Sequence, residues 1–173
     1  ALAKAQTEAR AAMAKNWIAE NGVLTGAADG GTIGSAKNYE NFELILDWKT
    51  EGEAAMGIRS IPQIALGGKN SGALTGNMLH DNAAPKAAAN GPQEWNTMQV
   101  KVVSDRVTVV LNGVTTAENV ILENACNREI PAYAEGQILL IAGNAPLNVR
   151  EMYIRELPAT PRFELSEEEA ADG

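Results

Sequence analysis

Apolar and polar residues alternate between residues 98 and 111, which is the pattern of β-strands with one buried face. The apolar positions of this stretch are Met98, Val100, Val102, Val107, Val109 and Leu111. Ser104-Asp105 divides the stretch with turn-forming residues, and Asn112-Gly113 follows it. Asn-Gly suits a tight hairpin turn because both residues tolerate positive φ. The pattern therefore predicts an antiparallel strand pair at 98–111, followed by a third strand that begins at Val114.

A second amphipathic stretch lies at residues 42–49. Its apolar face consists of Phe42, Leu44, Leu46 and Trp48. Glu43 and Asp47 fall on the opposite face, which we expect to meet solvent. We therefore predict that the apolar faces of 42–49 and 98–111 contribute to one hydrophobic core.

Shorter apolar runs bounded by turn residues predict further strands. Their positions are 17–19, 23–25, 58–61, 63–66, 137–142 and 147–157. Residues 50–57 are predicted to turn the chain, Pro62 to interrupt strand pairing, and a phase change near Arg150-Glu151 to form a β-bulge. Many short strands separated by turns are typical of an all-β sandwich.

The two ends of the chain differ in composition from its strand-rich middle. Residues 2–15 are rich in Ala, Glu, Lys and Arg, which predicts a short surface helix. Residues 158–173 are acidic, contain two prolines and carry the capping box Ser166-x-x-Glu169. We therefore expect an N-terminal helix or linker at 1–16, a sandwich domain at 17–157 and an acidic C-terminal linker at 158–173. That linker is predicted to pack little against the domain, and either a solvated tail or a lead into another domain explains its composition.

Composition excludes several kinds of partner. The 173 residues carry a net charge of −8 without a cluster of Lys or Arg, so we expect no nucleic-acid partner. No apolar run approaches the ~20 residues of a membrane span. The chain begins at Ala1 without an initiator Met or a signal peptide, so we expect a processing boundary there.

Catalytic motifs are scarce. His80 is the single histidine, so a site with several histidine ligands is excluded, and we predict neither a metal nor a cofactor. Cys126 is the single cysteine and is expected to be a small buried residue. Glu43 and Asp47 are candidates for the paired carboxylates of a glycosidase, although we expect them to belong to a solvated outer sheet face instead. The catalytic residues are therefore left unassigned.

Several segments together resemble one known family. Glu94-Trp95-Asn96-Thr97, the following alternating strand and Leu111-Asn112-Gly113-Val114 are similar to the 3-keto-disaccharide hydrolase domain family, which is common in bacteria. Tyr39-x-Asn41-Phe42-x-Leu44 is also frequent in that family, and the similarity extends over about 17–157. The resemblance implies an all-β, concanavalin A-like jelly-roll β-sandwich, here with a short N-terminal helix.

The same resemblance indicates candidate binding residues. Arg59, Gln63 and Asn144 occupy polar positions of the family's motifs and are the candidates for substrate binding. The family has acidic residues at the positions of Ile61 and Leu66, and a histidine near the position of Asn144. An apolar side chain cannot transfer protons, so the expected acid–base groups are missing. Trp17, Trp48 and Trp95 are the possible aromatic platforms for a sugar, and we expect Trp48 and Trp95 to lie in the core instead.

Two functions follow from this resemblance. The chain is either a divergent 3-keto-glycoside hydrolase that acts on or binds carbohydrate, or a catalytically inactive carbohydrate-binding or structural domain of a larger protein. In both cases the resemblance implies a carbohydrate ligand, a periplasmic or extracellular location and a possible tandem copy of the domain. Polar side chains that converge in a cleft would favour the hydrolase, and an apolar or filled cleft would favour the inactive domain.

Overall fold

A computed structural model describes residues 2–75 and 88–162 of the chain. The first element is helix α1 (Leu2–Asn16). The strands are β1 (Trp17–Glu20), β2 (Val23–Gly26), β3 (Gly31–Gly34), β4 (Phe42–Thr50), β5 (Ala54–Gly57), β6 (Gln63–Leu66), β7 (Leu74–Thr75), β8 (Asn96–Val103), β9 (Arg106–Leu111), β10 (Val114–Ile121), β11 (Leu139–Ala142) and β12 (Leu147–Glu156). Apart from α1, the described residues contain no α-helix, so the predicted all-β architecture with a short N-terminal helix is confirmed.

Two antiparallel sheets form the sandwich. The larger sheet has the strand order β1-β2-β12-β4-β8-β9-β10, and the smaller sheet has the order β3-β11-β5-β6-β7. Strands that are distant in sequence are neighbours in both sheets, since β12 pairs with β4 and β11 pairs with β5. This exchange of strands is typical of jelly-roll sandwiches.

One hydrophobic core lies between the sheets. Every residue predicted to face inward from 42–49 and 98–111 is buried. The smaller sheet contributes Met56, Ile64, Leu66, Leu74, Leu140 and Ala142 to the same cluster. The period-2 pattern of β4 and β8 therefore identified the core side of the larger sheet.

Two turn features agree with the sequence. Asn112 and Gly113 have φ values of 50° and 82°, as a type I′ hairpin turn requires. The pairing of β12 with β4 shifts between Arg150 and Tyr153, and Glu151 has a φ of 48°. The predicted bulge therefore lies in β12, and it changes which residues of this strand face outward.

The strand predicted at 58–61 is wrong. The strand in this region is β5, at residues 54–57, where the sequence predicted part of a turn. Arg59 and Ser60 have φ values of 47° and 74°, so the backbone reverses where the strand was expected. Ala54 and Ala55 are small residues with little apolar contrast, which explains why alternation did not reveal β5.

Two of the three tryptophans differ from expectation. Trp17 is buried and lies across Gly26, where an added Cβ would stand only 2.6 Å from the indole ring. It is therefore a core residue and cannot serve as a sugar platform. Trp95, expected in the core, is half-buried beneath Lys49 and Arg150 on the outer face of the larger sheet. Trp48 is buried in the core, as predicted.

The two ends of the domain differ in how they contact the sandwich. The side chains described on α1 are exposed or half-exposed, as expected of a surface helix. No helix among the described residues is long and apolar enough to cross a membrane.

Residues 158–160 are more closely held than predicted, because Asn41 Nδ2 donates to Pro158 O at 2.8 Å and to Thr160 Oγ1 at 3.0 Å. The capping box at 166–169 lies outside the described residues.

Candidate functional site

The three candidate binding residues lie on or beside the smaller sheet. Gln63 begins β6 and pairs with Gly57 of β5, which in turn pairs with Leu139 of β11. Arg59 follows β5 in the reversed segment, and Asn144 follows β11. These three residues are therefore carried by neighbouring strands or by the turns that adjoin them.

Arg59 is held by groups of the protein itself. Its side chain is buried, with 3% of the residue exposed. Nε and Nη2 donate to Glu40 O at 3.0 and 2.6 Å, and Nη2 also donates to Asn41 Oδ1 at 3.2 Å. Burial lowers the pKa of the Arg59 guanidinium from its ordinary value. The guanidinium therefore supports the end of the sandwich, beside a cavity of about 220 Å³ that it shares with Glu40 and Asp105.

Gln63 stands on a surface of small and apolar residues. Burial alternates along β6 and β11, so Gln63, Ala65, Leu139 and Ile141 face away from the core. Ala55 and Gly57 lie between them in the register. Leu139 packs directly on Gly57, where an added Cβ would come within 2.9 Å of Leu139 Cβ. Gln63 is thus the single polar side chain among these six positions.

Asn144 lies at the opposite end of β5 from the other two candidates. Its Oδ1 accepts a hydrogen bond at 2.9 Å from the backbone N–H of Glu53, the residue that precedes β5. Arg59 and Gln63 adjoin the other end of β5, about 13 Å away for a strand of four residues. The structure brings Arg59 and Gln63 to one region and separates Asn144 from both, and a role in substrate binding stays a prediction for all three.

Acid–base groups are sparse around these residues. Leu66 is fully buried in the core and Ile61 is half-buried. The described residues contain no group of three or more His, Cys, Asp or Glu side chains that could hold a metal ion. His80 lies outside the described residues. Cys126 is exposed, so the expectation that it is buried is wrong.

Glu43 and Asp47 do face outward from β4, but each has a basic partner. Glu43 pairs with Arg155 and lies 3.6 Å from Lys101 Nζ. Asp47 accepts from Arg150 Nε at 3.1 Å and from Thr97 Oγ1 at 2.7 Å. The hydrogen bond from Arg155 lowers the pKa of Glu43, whereas a general acid needs a raised pKa. The two carboxylates are four residues apart along β4, which places them about 13 Å from each other. The paired carboxylates of a glycosidase lie closer together, at about 5 to 9.5 Å.

A groove that the sequence did not predict crosses the outer face of the larger sheet. Its volume is about 450 Å³, within the range of small-molecule sites. We define the middle row of this face as Tyr153, Ile45, Gln99 and Val110, which are successive partners across β12, β4, β8 and β9. We define the charged row as Arg155, Glu43, Lys101 and Thr108, which pair across the same strands. All eight residues line the groove.

Beside the groove, Trp95 lies beneath two cations. The Arg150 guanidinium is 3.9 Å from the centre of the indole ring, and Lys49 Nζ is 4.8 Å from it. Such contacts hold a cation in place while leaving part of its charge exposed. This cluster continues the outer face toward β2, since Asn148 next to Lys49 accepts a hydrogen bond from Thr25 of β2.

Comparison with solved structures establishes the fold. A predicted glycosyl hydrolase from Parabacteroides distasonis is 24% identical, with a TM-score of 0.65, over 83% of this chain and 91% of that chain. A second such protein from the same organism is 19% identical, with a TM-score of 0.67, over 82% of this chain and 74% of that chain. The carbohydrate-binding module CBM66 from Bacillus subtilis is 14% identical, with a TM-score of 0.57, over 81% of this chain and 91% of that chain. The concanavalin A-like jelly roll is therefore confirmed.

Comparison of sequences establishes the family. No match to this chain is found among the curated proteins. The sequence model of the family of 3-keto-alpha-glucoside-1,2-lyase-like domains matches residues 4–155. That range includes most of α1 and nearly all of the sandwich. The assignment made from sequence motifs is thus confirmed, and the chain belongs to this family of 3-keto-disaccharide hydrolase domains.

Proposed function

We propose that this protein is a carbohydrate-binding member of its family that cleaves 3-keto-glycosides weakly or not at all. The observation that carries the proposal is the chemistry of the positions where the family has acids and a histidine. Leu66 is fully buried, Ile61 is apolar, and Asn144 uses its carbonyl oxygen on the backbone of Glu53. None of these groups can transfer a proton at neutral pH.

Both ways of cleaving a 3-keto-glycoside need proton transfer. Hydrolysis requires an acid for the leaving oxygen and a base for water, while 1,2-elimination requires a base for the proton on C2. Each such group commonly contributes about 10²–10⁴-fold to the rate. A domain that lacks several of these acid–base groups keeps its fold and its capacity for hydrogen bonding. CBM66, a carbohydrate-binding module, has the same fold. We also propose a periplasmic or extracellular location, where polymeric carbohydrate is encountered.

Release of a chromophore from an aryl 3-keto-glucoside tests this proposal, because hydrolysis and elimination both release it. We expect turnover close to the uncatalysed rate for the whole chain. Gln63→Ala is the test variant, and Gln6→Ala, an exposed residue of α1, is the matched control. Robust turnover that Gln63→Ala abolishes and Gln6→Ala leaves intact would contradict the proposal and assign an active site to the smaller sheet.

A carbohydrate panel tests the binding half of the proposal. Soluble polysaccharides set in a native gel should retard the whole chain when they bind it. We expect at least one polysaccharide to do so, with no loss of polysaccharide chain length. If none retards the protein while the fold is intact by circular dichroism, the proposed carbohydrate-binding function is wrong.

A further inference from the structure

The outer face of the larger sheet combines an apolar strip with a strip of charge. In the middle row, Tyr153 is 63% exposed and Ile45 is 37% exposed. Gln99 and Val110 extend this row across four adjacent strands, over about 14 Å. Gln99 is the polar member of this row, and exposed apolar side chains grouped on an otherwise polar face commonly mark an interaction site.

The charged row carries an excess of positive charge. The carboxylate of Glu43 faces two cations, Arg155 and Lys101, whose side chains are 73% and 57% exposed. Within the charged row one positive charge is therefore left over, while Glu151, which accepts a hydrogen bond from the Tyr153 hydroxyl at 2.8 Å, adds one carboxylate at the end of the middle row. Lys49 and Arg150 add two further cations around Trp95, against the one carboxylate of Asp47. This local excess contrasts with the net charge of −8 of the whole chain.

The chemistry of the two rows selects a kind of ligand. An exposed tyrosine ring beside aliphatic side chains offers a flat apolar surface, which matches the C–H face of a pyranose ring. Gln99 and Thr108 supply donors and acceptors for hydroxyl groups. Arg155 and Lys101 are cations for a carboxylate, and the fork of Arg155 has donors beyond those that Glu43 occupies.

From these features we infer that the groove binds an extended saccharide chain that carries carboxylate groups, such as a polyuronate. The sugar rings lie along the middle row, and their carboxylates meet Arg155 and Lys101 in the charged row. The inference rests on the proposed carbohydrate-binding function, but it places the ligand on the larger sheet, away from Arg59, Gln63 and Asn144. It also identifies the charge of the sugar, which the family does not specify.

The experiment compares ligands that differ in one property. Polygalacturonate supplies the carboxylated chain, and its methyl ester has the same backbone without the charge. Polyglutamate supplies a carboxylated chain without sugar. Affinities are measured with the whole chain by retardation in native gels at increasing ligand concentration. We expect polygalacturonate to bind, and the other two polymers to bind at least about tenfold more weakly. The methyl ester lacks the carboxylates that Arg155 and Lys101 would bind, and polyglutamate lacks the sugar rings that would contact the middle row.

Matched variants locate the site. Lys101→Gln removes a groove cation, and Lys69→Gln removes an equal charge from the exposed turn between β6 and β7. Tyr153→Ala removes the ring from the groove, and Tyr133→Ala removes another exposed ring outside it. We expect both groove variants to weaken polygalacturonate binding about tenfold, with both controls near the wild-type affinity.

Each outcome separates the inference from the proposed function. Equal binding of polygalacturonate and its methyl ester, or equal binding of polyglutamate, would overturn the inference. Unchanged affinity of both groove variants for polygalacturonate would also overturn the inference. If Gln63→Ala alone reduced binding, the carbohydrate would bind at the smaller sheet instead. Robust cleavage of the 3-keto-glucoside, with polygalacturonate still bound through Tyr153 and Lys101, would contradict the proposed function and support the groove.

Discussion

At the scale of single residues, Arg59 and Asn41 have structural roles that their sequence context does not reveal. Arg59 donates to the backbone of Glu40, and Asn41 Oδ1 accepts from both Arg59 and the backbone N–H of Ser104, the latter at 2.8 Å. A motif match marked Arg59 as a ligand-binding group because arginine often has that role. The carbonyl oxygens that occupy it come from residues 19 and 74 positions away, which no local pattern discloses.

Replacing Arg59 with Ala should destabilise the fold. The change removes the guanidinium donors of Glu40 O and leaves Asn41 Oδ1 with the Ser104 N–H as its donor, and hydrogen bonds from charged donors contribute about 1.5–3 kcal/mol each. We expect the free energy of unfolding in urea to fall by about 2–3 kcal/mol, while Arg128→Ala, at an exposed position, should change it little. An unfolding free energy within about 0.5 kcal/mol of wild type would show that Arg59 is not structural.

The Glu43–Arg155 pair gives a prediction on pH. Arg155 lowers the pKa of Glu43, so the folded chain holds this proton less tightly than the unfolded chain does. The pair therefore stabilises the fold above the ordinary pKa of glutamate, and the contribution disappears as the pH falls through the lowered pKa. Carboxyl-carbon NMR should show Glu43 titrating below the ordinary glutamate value, and Arg155→Ala should raise its midpoint. A midpoint unaffected by Arg155→Ala would contradict this assignment.

At the scale of elements, alternation identified the long strands β4, β8 and β9, and apolar runs located several short strands but missed β3, β5 and β7. β4 and β8 have eight or nine residues and clear apolar contrast, so their inward faces were predicted correctly. β3 and β5 have four residues each, mostly Gly and Ala. Such strands are fixed by their partners, since β11 pairs with both of them, and partners far away in sequence leave no local signal.

The segment after β12 gives a prediction at this scale. A chain that ends at residue 157 loses Pro158 O and Thr160 Oγ1, the two acceptors for the buried Asn41 Nδ2. We expect this truncation to cost about 1–3 kcal/mol in urea unfolding. A chain that ends at residue 162 keeps both acceptors and should unfold like the whole chain. Equal stability of the two truncations would show that the hydrogen bonds of Asn41 contribute little.

At the scale of the whole molecule, the outer faces of the two sheets differ in chemistry. The outer face of the smaller sheet, which carries Gln63, consists of small and apolar residues, and the outer face of the larger sheet carries the groove with its charged row. Glu43 and Arg155 meet across 112 residues of sequence, because β12 returns to pair with β4. The sequence could predict the sandwich and the inward faces of β4, β8 and β9. It could not predict the groove, which depends on the register between strands from opposite ends of the domain.

The shared core predicts that both sheets unfold together. Leu140 belongs to the smaller sheet and packs into the cluster that contains Trp48 of the larger one. Leu140→Ala should cost about 2–5 kcal/mol, and the loss should be felt in the larger sheet as well. Tryptophan fluorescence reports on that sheet, because Trp17 and Trp48 lie in β1 and β4 and Trp95 precedes β8. Fluorescence and far-UV circular dichroism should therefore shift to the same lower urea midpoint, with Tyr133→Ala as an exposed control. A fluorescence midpoint that stays at the wild-type value would mean that the larger sheet folds without the smaller one.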